Sequence, residues 1–552
     1  MPEPSGVRIS DAVISKLRGL LGEEGRHAPT PTALRLFLRT YFEIFNVHLP
    51  ILHEPSFDAE LQPPGLLLAM AAVGALYRME RRAVALLYRA ADSVAPLGAS
   101  TIQIGFFLRG ARGASVEPNA PEKWRSLAYY QTRLLLQYVG ILGGNSELAE
   151  RSLGMIAELS LSLYRTLARQ LKSPGSLSEG DVTWTSWLER ECTKRALYGV
   201  WNLSNFVAST YGIAPPLTVG HDGALELPCS DALWQARNET EWNEARIAEI
   251  DHGRGAATTV RDAFALLVDT NNEESPSITD ITALRWSPFA IVSIMHILST
   301  RLWHVTHGTL SGVAATGSSP SAASPDNSAP GGASKIFTAG RRCHELIRAY
   351  GEQLNQSNEG RHARDARWQL ANAADVLRVC YCRTVPALAR LDCDSLLRGG
   401  LDDVLVAVQE YVAAPLERTP EFTHAAAVAY EGLCVPLRCG AQFFRRAGAL
   451  TGSLEHLIAG WDNALLVSKW VHVVSGAQAL DSVLDTEEQE LLQNISAMLW
   501  QEETDPDENG SLATRLLRYW AVFYDDTWVW GVAPRMAVVL RKLATSFESV
   551  RQ

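Results

Sequence analysis

The spacing of its apolar residues is the feature that most constrains how this chain can fold. Large apolar side chains recur at intervals of three and four along most of the sequence, which places them on one face of a helix, whereas the alternation typical of strands is scarce. Residues 31–47 and 187–207 show the pattern clearly. The first carries Leu34, Phe37, Leu38, Tyr41, Phe42 and Phe45, and the second carries Leu188, Cys192, Ala196, Val200, Leu203 and Val207. The spacing therefore predicts an all-α fold.

The same spacing predicts where the other helices lie. With 47% hydrophobic residues in a chain of 552, a large core can be buried. We expect a single large multi-helix domain over 31–552, preceded by a linker or short helix in 1–30. The further helices are predicted at 64–78, 126–142, 151–171, 243–268, 286–308, 336–355, 364–392, 400–415, 422–447, 452–474, 486–501, 512–524 and 533–549.

Two segments interrupt the helical pattern. Residues 311–335 are rich in Ser, Ala, Gly and Pro and hold no large apolar side chain beyond Val313. Because so little apolar surface cannot offset the entropy lost on ordering, we predict a disordered surface loop there. Residues 502–510 are acidic and predict a turn between two helices. Since apolar helical patterns flank both segments, neither is predicted to divide independent domains.

The charge balance opposes DNA binding by this chain alone. The formal net charge is −11, whereas nonspecific affinity for DNA comes from Lys and Arg side chains that displace counterions at phosphates. The densest basic stretch, Arg78 to Arg82, is interrupted by Glu80 and predicts a solvated helix face. Neither a C-x2-C-x6-C cluster nor the spacing of a Cys2His2 finger occurs in the sequence. We therefore predict no DNA-binding residues.

No segment of the sequence predicts a membrane protein. No uninterrupted apolar run approaches the ~20 residues that a helix needs to span a bilayer, and the N-terminal residues lack the apolar core of a signal peptide. The eight cysteines are thinly spread, unlike those of a disulfide-stapled secreted domain. We expect a soluble intracellular protein with reduced cysteines and no membrane contact.

Some of the cysteines are the first candidates for a metal site. Cys380, Cys382 and Cys393 offer three thiolates, but structural zinc sites use CxxC-type knuckles. On a helix, neighbours at i and i+2 point about 200° apart, so Cys380 and Cys382 cannot readily face one ion. We predict that these three cysteines, and likewise Cys434 with Cys439, are structural and bind no metal.

His304 with His307 and Asp525 with Asp526 are further candidate metal ligands. The histidines have helical i, i+3 spacing but no third ligand nearby, so we predict a pair at a helix end. Paired aspartates hold magnesium in all-α enzymes that act on prenyl diphosphates, but Asp526 is followed by Thr-Trp-Val and not by another acidic residue. We interpret these aspartates as a helix cap or an exposed turn, and predict no metal site.

No motif for nucleophilic or phosphate chemistry is present. The sequence has no P-loop, no dinucleotide-binding glycine fingerprint and no G-x-S-x-G elbow. We therefore predict no catalytic residues, no cofactor and no enzymatic activity. The 15 tryptophans are expected mostly in the core, although a cavity lined by some of them would be an effector pocket between helices. Several occur in pairs, namely Trp184 with Trp187, Trp461 with Trp470, and Trp528 with Trp530.

Several separated segments carry a specific order of residues. Residues 41–57 run from an aromatic-rich helix into Pro50, Leu52, His53, Pro55 and Phe57. A helix rich in small residues follows at 66–77, and Gln131 precedes a run of leucines within 127–145. Farther on come Trp187, Glu191, Lys194 and Arg195, where Glu191 and Arg195 can pair one helical turn apart. The segment ELPCSDALWQARNETEW follows at 226–242.

Together these segments resemble the regulatory domain, or middle homology region, of fungal transcription factors. Residues 287–303 and 517–540 are similar to family segments of the form attached to Cys2His2 fingers, so the resemblance extends from about 33 to 545. One departure is Lys194, because the family often has two arginines where this chain has Lys194 and Arg195. This change keeps the charge but reduces bidentate pairing. The zinc-dependent DNA reader of the family has no counterpart in this sequence.

The resemblance implies a fungal-type transcription regulator that works in the nucleus on a specialised or biosynthetic gene set. It would act through co-regulators, a DNA-binding partner or a small-molecule effector, and a homodimer is among the expected assemblies. Two alternatives stay open. One is a scaffold or inhibitory partner of a finger-bearing regulator, and the other is a helical pocket recruited as a metabolite-binding protein or enzyme.

Overall fold

The computed structural model is built from helices. It describes residues 7–21, 28–95, 122–172, 182–217, 224–251, 258–268, 277–315, 330–356, 360–438, 452–479, 483–502, 510–525 and 529–551. Across these ranges, extended backbone pairs only at an isolated antiparallel bridge between Glu226 and Thr259. The predicted all-α class is therefore confirmed.

The described helices are named here in chain order. The first are α1 (Asp11–Leu20), α2 (Pro31–Thr40), α3 (Pro64–Tyr77), α4 (Arg81–Val94), α5 (Glu122–Leu142), α6 (Ser146–Gly154), α7 (Ile156–Lys172), α8 (Trp184–Tyr211), α9 (Asp231–Trp234), α10 (Glu239–Asp251), α11 (Val260–Val268) and α12 (Ile278–Ala283). Next come α13 (Pro288–Ala315), α14 (Pro330–Gln356), α15 (Arg361–Thr384), α16 (Pro386–Ala389), α17 (Cys393–Arg398), α18 (Leu401–Ala413), α19 (Pro420–Arg438), α20 (Leu454–Ala479), α21 (Thr486–Glu502), α22 (Leu512–Asp525) and α23 (Ala533–Arg551). Helix α2 continues through a π-helical turn, Tyr41–Phe45, into Asn46–His48.

Helix α3 is wholly buried in the N-terminal part of the fold. Its sequence, PGLLLAMAAVGALY, is apolar on all sides, and every one of its residues is buried. Its small residues let neighbouring helices come close, since a Cβ atom built on Gly74 would lie 1.9 Å from the carbonyl oxygen of Phe37. Helix α2 therefore crosses α3 in backbone contact, and any larger residue at Gly74 would force the two helices apart.

A series of packed helices leads from α3 across the molecule. Helix α3 packs on α5, α8 packs on α5 and α13, and α13 packs on α15. Helix α15 then packs on α20, α20 on α22, and α22 on α23. Buried apolar side chains from Val7 to Phe547 accordingly form one continuous core cluster.

Two glycines join the N-terminal and C-terminal parts of the chain. Gly144 follows α5 with a φ of 88°, a conformation that favours glycine. A Cβ atom built on Gly531 would lie 2.2 Å from the Cα atom of Gly144. The N–H of Gly531 also donates to the carbonyl of Leu142 at 2.9 Å. Residues 127–145 and 517–540, which are far apart in the sequence, therefore meet at this contact.

Two of the predicted helices are wrong because each is interrupted. The predicted helix 364–392 ends at Thr384, since proline disfavours the helical conformation in the residue before it and Val385 is extended ahead of Pro386. The predicted helix 151–171 is instead two helices, α6 and α7, which separate at Met155.

The predicted helix 243–268 is also wrong. Helix α10 ends at Asp251, and the chain is extended before α11 begins. There the N–H of Leu227 donates to the carbonyl of Thr258, and the N–H of Val260 donates to the carbonyl of Leu225, both at 2.8 Å. This pairing removes residues 258–259 from any helix.

The loop predicted at 311–335 is wrong at both ends. Helix α13 continues to Ala315, and α14 begins at Pro330. The intervening residues 316–329 lie outside the described residues, as do 503–509 of the predicted acidic turn and 439–447 of the predicted helix 422–447. At the N-terminus, the residues predicted as a linker or short helix contain α1.

The basic stretch near Arg78 is exposed, as the sequence predicts, but two of its arginines also bond to other parts of the fold. The Nε of Arg78 donates to the hydroxyl of Thr40 at 2.8 Å, and Arg81 donates to the carbonyl of Gly143 at 2.9 Å. Arg82, the third arginine, is exposed as well. Two of the arginines therefore contribute to packing between helices.

Candidate functional site

A carboxylate buried inside the molecule organises the candidate site. Glu191 of α8 accepts a hydrogen bond from Arg195 at 2.8 Å, and its other oxygen lies 2.8 Å from the Nζ of Lys194. All three side chains are buried. Burial would raise the pKa of Glu191, but the two cations and a bond from the N–H of Cys229 lower it to about 2. Glu191, Lys194 and Arg195, which we name the clamp, therefore form a charged group held on one helix.

The clamp fixes a length of chain, residues 226–237, which we name the belt. The N–H of Cys229 donates to Glu191 at 3.0 Å. The guanidinium of Arg195 lies over the indole of Trp234, with its Cζ atom 3.7 Å from the ring centroid. A cation over an aromatic face at this distance is attracted by the ring electrons. The clamp thereby holds the belt through both its backbone and an aromatic side chain.

His53 joins the belt to the chain that follows α2. Its Nε2 lies 2.7 Å from the carbonyl oxygen of Trp234, and its Nδ1 lies 2.6 Å from the hydroxyl of Ser56. Burial lowers the pKa of His53 to about 4, so the ring is neutral near pH 7. A neutral ring protonated at Nε2 donates to the carbonyl and accepts from the serine, which satisfies both nitrogens.

Side-chain amides fix this same stretch, residues 46–57, which we name the connector. Asn46 bonds both the carbonyl and the N–H of Leu52, at 3.0 and 3.3 Å. Gln131 of α5 donates to the carbonyl of Ile51 at 2.8 Å, and Gln369 of α15 donates to the carbonyl of Val47 at 2.8 Å. The connector is therefore held in one irregular conformation from three sides.

The connector, the belt and the start of α15 enclose a cavity of about 350 Å³, which we name the motif pocket. This volume lies in the range of sites for small molecules. Its apolar lining comes from Val7, Phe42, Val47, Pro50, Pro55, Phe57, Trp234 and Ala366. Its polar lining comes from Asn46, Glu54, Arg195, Asp231, Gln235, Arg237, Arg361, His362, Asp365 and Gln369.

Most charges on the wall of the motif pocket are already paired. Arg361 lies 2.8 Å from the carboxylate of Glu54 and 3.8 Å from that of Asp365. Asp231, by contrast, makes no hydrogen bond or ion pair through its carboxylate within the described part of the chain. Burial raises the pKa of Asp231 to about 6, and the neighbouring Arg195 opposes that rise. The pocket thus combines apolar walls with one half-buried carboxylate that makes no hydrogen bond or ion pair within the described residues.

Two family models match most of this chain, and the first of them covers the connector, the clamp and the belt. Residues 38–296 match the fungal specific transcription factor domain, and residues 393–542 match the fungal transcription factor C-terminal domain. The chain carries a fungal transcription factor regulatory domain. This confirms the resemblance seen in the sequence, and no DNA-binding domain is found among the matches.

One curated relative supports the same assignment at low similarity. A protein named transcription factor, from Gibberella fujikuroi, is 20% identical to this chain over 226 residues. The alignment covers 40% of this chain and 27% of that protein, so the chain spans about a quarter of the relative's length. No solved structure matches the chain significantly.

The regulatory domain contains a second pocket of about 310 Å³, which lies between α8, α13 and the turn after α15. Arg383 on its wall makes two bonds of 2.8 Å to Asp462 and a third of 2.9 Å to the carbonyl of Ser209. The ring of His307 stacks on that of Trp303, with the centroids 4.0 Å apart. We name this cavity the joint pocket.

The structure separates the metal-ligand candidates of the regulatory domain. Cys380, Cys382 and Cys393 are all buried, and they face different neighbours. The thiol of Cys382 meets Asn463, whereas that of Cys393 accepts from Arg383. Within the described residues, no group of three or more His, Cys, Asp and Glu side chains is arranged to hold a metal ion. Cys434 is buried, and Cys439 lies outside the described residues.

One interpretation of paired residues is wrong, and another is wrong only in the helix cap that it offered. His304 and His307 do not end their helix, because α13 continues beyond them to Ala315. Asp525 is the last residue of α22, where it pairs with Arg541 of α23, and it does not cap the start of the final helix. Asp526 lies outside the described residues.

The paired tryptophans are placed mainly in the core. Trp184 and Trp187 stack at 5.5 Å and both contact Trp242, while Trp461 and Trp470 are fully buried within α20. Trp530 is buried, and Trp528 lies outside the described residues. The tryptophan that lines the motif pocket is Trp234, which belongs to none of these pairs.

Sequence reasoning brought together some residues of the site and missed others. The motif residues Pro50, His53, Glu191 and Arg195 do meet around the belt. Residues on α15 were missed, because nothing in their local spacing connects them with the connector more than 300 positions away. Asp231 lies in the segment 226–242, whose order of residues carries the family resemblance. A search of that segment for an acidic residue near Trp234 would have found it. The residues missed are Asp231, Arg237, Arg361, Asp365 and Gln369.

The described helices also bear on membrane contact. Among the residues that the structure places, no helix is both long enough and apolar enough to cross a bilayer.

Proposed function

We propose that this chain is a transcription regulator whose helical domain responds to a small-molecule effector bound in the motif pocket. The observation that carries this proposal is how the pocket is built. Its walls are the connector and the belt, the two segments whose order of residues carries the family resemblance, and buried charges and amides hold both of them. Buried ion groups are costly to desolvate, so a clamp placed behind a pocket wall supports a role for that wall beyond stability.

The proposed regulator acts in the nucleus, on a specialised gene set such as a biosynthetic cluster. It reaches DNA through a DNA-binding module or partner and transmits its state through co-regulators. The proposal assigns it no enzymatic activity. Support comes from the two matched regulatory domains and from the relative named transcription factor.

Effector binding would act by shifting a conformational equilibrium. The motif pocket is lined from separated parts of the sequence, because Val7 precedes α1, Phe57 lies in the connector, Trp234 lies in the belt and Ala366 lies in α15. A ligand that contacts these parts together favours the arrangement in which they are close. Its differential affinity for that arrangement sets the size of the shift.

The test is a reporter assay in a fungal host, with the full chain fused to an unrelated DNA-binding module. The chain is compared with Ala366→Phe, which places a phenyl ring in the motif pocket. The matched control is Ala389→Phe, which places the same ring in the joint pocket. We expect the fusion to change reporter expression under an inducing condition, and Ala366→Phe to make expression independent of that condition. The control should retain the response.

Two results would contradict the proposal. A fusion that leaves the reporter unchanged under every inducing condition would contradict a regulatory role. Equal responses from the chain and from Ala366→Phe, with both proteins folded and equally abundant, would contradict a role for the motif pocket. Thermal unfolding of the purified variants separates lost response from lost folding.

A further inference from the structure

The distribution of charge in the motif pocket restricts the chemistry of its ligand. Arg195 is buried, bonds Glu191 at 2.8 Å and covers the indole of Trp234. Arg361 is paired with Glu54 at 2.8 Å. Neither guanidinium is therefore available to a ligand without breaking an existing ion pair, and the cost of freeing a partly buried charge opposes that exchange.

The charged groups left over are one of each sign and differ in exposure. Arg237 stands on the rim with its side chain exposed to solvent, where water and salt screen its charge. Asp231 is half-buried in the wall and has no carboxylate partner within the described residues. A charge in the less solvated position interacts more strongly with a counter-charge, so the pocket favours a cation over an anion.

The rest of the lining suits an apolar body attached to that cation. Phe42 and Phe57 meet edge to face at 4.9 Å, and Trp234 forms the wall next to Asp231. The space available, about 350 Å³, exceeds that needed by a single aromatic ring. Aromatic walls of this kind contribute affinity by burial and by contact with ring edges and faces.

We propose that the ligand of the motif pocket is an organic amine with an aromatic or similarly apolar body, whose protonated nitrogen pairs with the carboxylate of Asp231. This inference rests on the proposed function, because it names the class of effector for the same pocket. The apolar body of the amine lies between Phe57 and Trp234. Arg195 also lines the pocket, but its charge is already balanced by Glu191 and its guanidinium lies over Trp234.

Two probes with the same phenylethyl body and opposite charge test the proposal on the purified full chain. The cation is 2-phenylethylamine and the anion is 3-phenylpropionate, each titrated by calorimetry. We expect the amine to bind with a Kd of about 1 mM, as suits a fragment of this size. Asp231→Asn should weaken the amine at least ~10-fold, because it removes the charge while keeping the shape. The anion should not bind.

A matched variant and a competing variant make the outcome decisive. Asp402→Asn, at an exposed first-turn aspartate of α18 away from the pocket, should bind the amine as the chain does. If the anion binds and Arg237→Gln abolishes its binding, the ligand class is an anion and the proposal is overturned. Binding of neither probe, or amine binding that Asp231→Asn leaves unchanged, also overturns it. None of these results changes the expected effect of Ala366→Phe in the reporter assay. The proposed ligand class and the proposed function can therefore fail separately.

Discussion

The motif pocket and the joint pocket are similar in size but differ in how their charges are balanced. Their volumes are about 350 and 310 Å³. In the joint pocket, Arg383 is bonded twice to Asp462, and Asp394 is paired with Arg398 at 2.6 Å. In the motif pocket, Asp231 has no such partner in the described part of the chain. A cavity whose charges are matched internally can serve packing alone, whereas an unmatched carboxylate is a cost that ligand binding would offset.

The two pockets also differ in what they connect. The joint pocket lies where the first matched domain meets the second, since Asn205 belongs to 38–296 and Cys393 begins 393–542. The motif pocket is built mainly from the first matched domain and takes Val7 and its α15 wall from outside it. The comparison supports our proposal that the motif pocket, and not the joint pocket, is the ligand site.

The largest expected effect is that of Glu191→Ala. The change leaves Lys194 and Arg195 buried without their carboxylate, so the free energy of unfolding should fall by about 3–5 kcal/mol. Urea denaturation measures the loss, and hydrogen exchange should show that amides of the belt exchange faster.

Two variants sharpen that result. Asp462→Ala, at the joint pocket, should destabilise the chain to a similar extent but leave exchange in the belt unchanged. Glu226→Ala removes a carboxylate that is about one-third exposed and should cost far less. An unchanged urea midpoint for Glu191→Ala would show that the clamp does not support the fold.

The clamp should also make stability depend on acidity. The pKa of Glu191 is lowered from 4.5 to about 2 in the folded chain. Because a depressed carboxyl pKa favours the folded state, its contribution is fully present above pH 4.5 and is lost as the pH falls towards 2. The contribution is on the order of 3 kcal/mol.

Glu191→Gln should remove this pH dependence. Urea unfolding of the chain and of the variant, measured across that acidic range, should give curves that converge as the pH falls. Parallel curves would contradict the assignment of a strongly ionised Glu191.

Asp231→Asn should stabilise the chain near neutral pH. Burial raises the pKa of Asp231 from 3.8 to about 6. The folded state therefore holds a proton that the unfolded state releases, and stability falls as the pH rises from 3.8 through 6. Removing the charge should raise the free energy of unfolding at pH 7 by about 1–2 kcal/mol after allowance for solvent screening.

The predicted stabilisation by Asp231→Asn can be checked by its dependence on pH. The difference between Asp231→Asn and the chain should shrink as the pH approaches 3.8, where the carboxyl group is protonated in the fold. Asp402→Asn should show no comparable gain. If Asp231→Asn is more stable than the chain but binds the amine less well, Asp231 costs stability and contributes to binding.

Much of the fold follows from local spacing, and the errors have identifiable causes. Helices α8 and α20 carry long apolar patterns, and both form close to the predicted positions. The break at Val385 was missed although Pro386 stands in the sequence, because the apolar pattern continues across it. The extended pairing of Leu227 with Thr258 could not be predicted, since it depends on a partner that only the tertiary structure brings near.

Only the ion pair and the two segments of the candidate site could be predicted from the sequence. Glu191 and Arg195 are one helical turn apart, so their ion pair could be predicted from spacing, but their burial could not. The contact between His53 and Trp234 spans 181 positions and depends on where the connector and the belt pack. Family resemblance indicated that both segments matter, whereas the geometry supplied the pocket between them.

The smallest expected effect belongs to His307→Ala in the joint pocket. The change removes a ring that stacks on Trp303 with centroids 4.0 Å apart and planes 9° apart. Both rings are only half-buried, so the loss of unfolding free energy should be about 0.5–1.5 kcal/mol. Calorimetric binding of 2-phenylethylamine to the motif pocket should be unaffected, because His307 lines the other cavity. If His307→Ala weakened amine binding as strongly as Asp231→Asn does, the amine would be bound in the joint pocket and the functional distinction between the two cavities would be wrong.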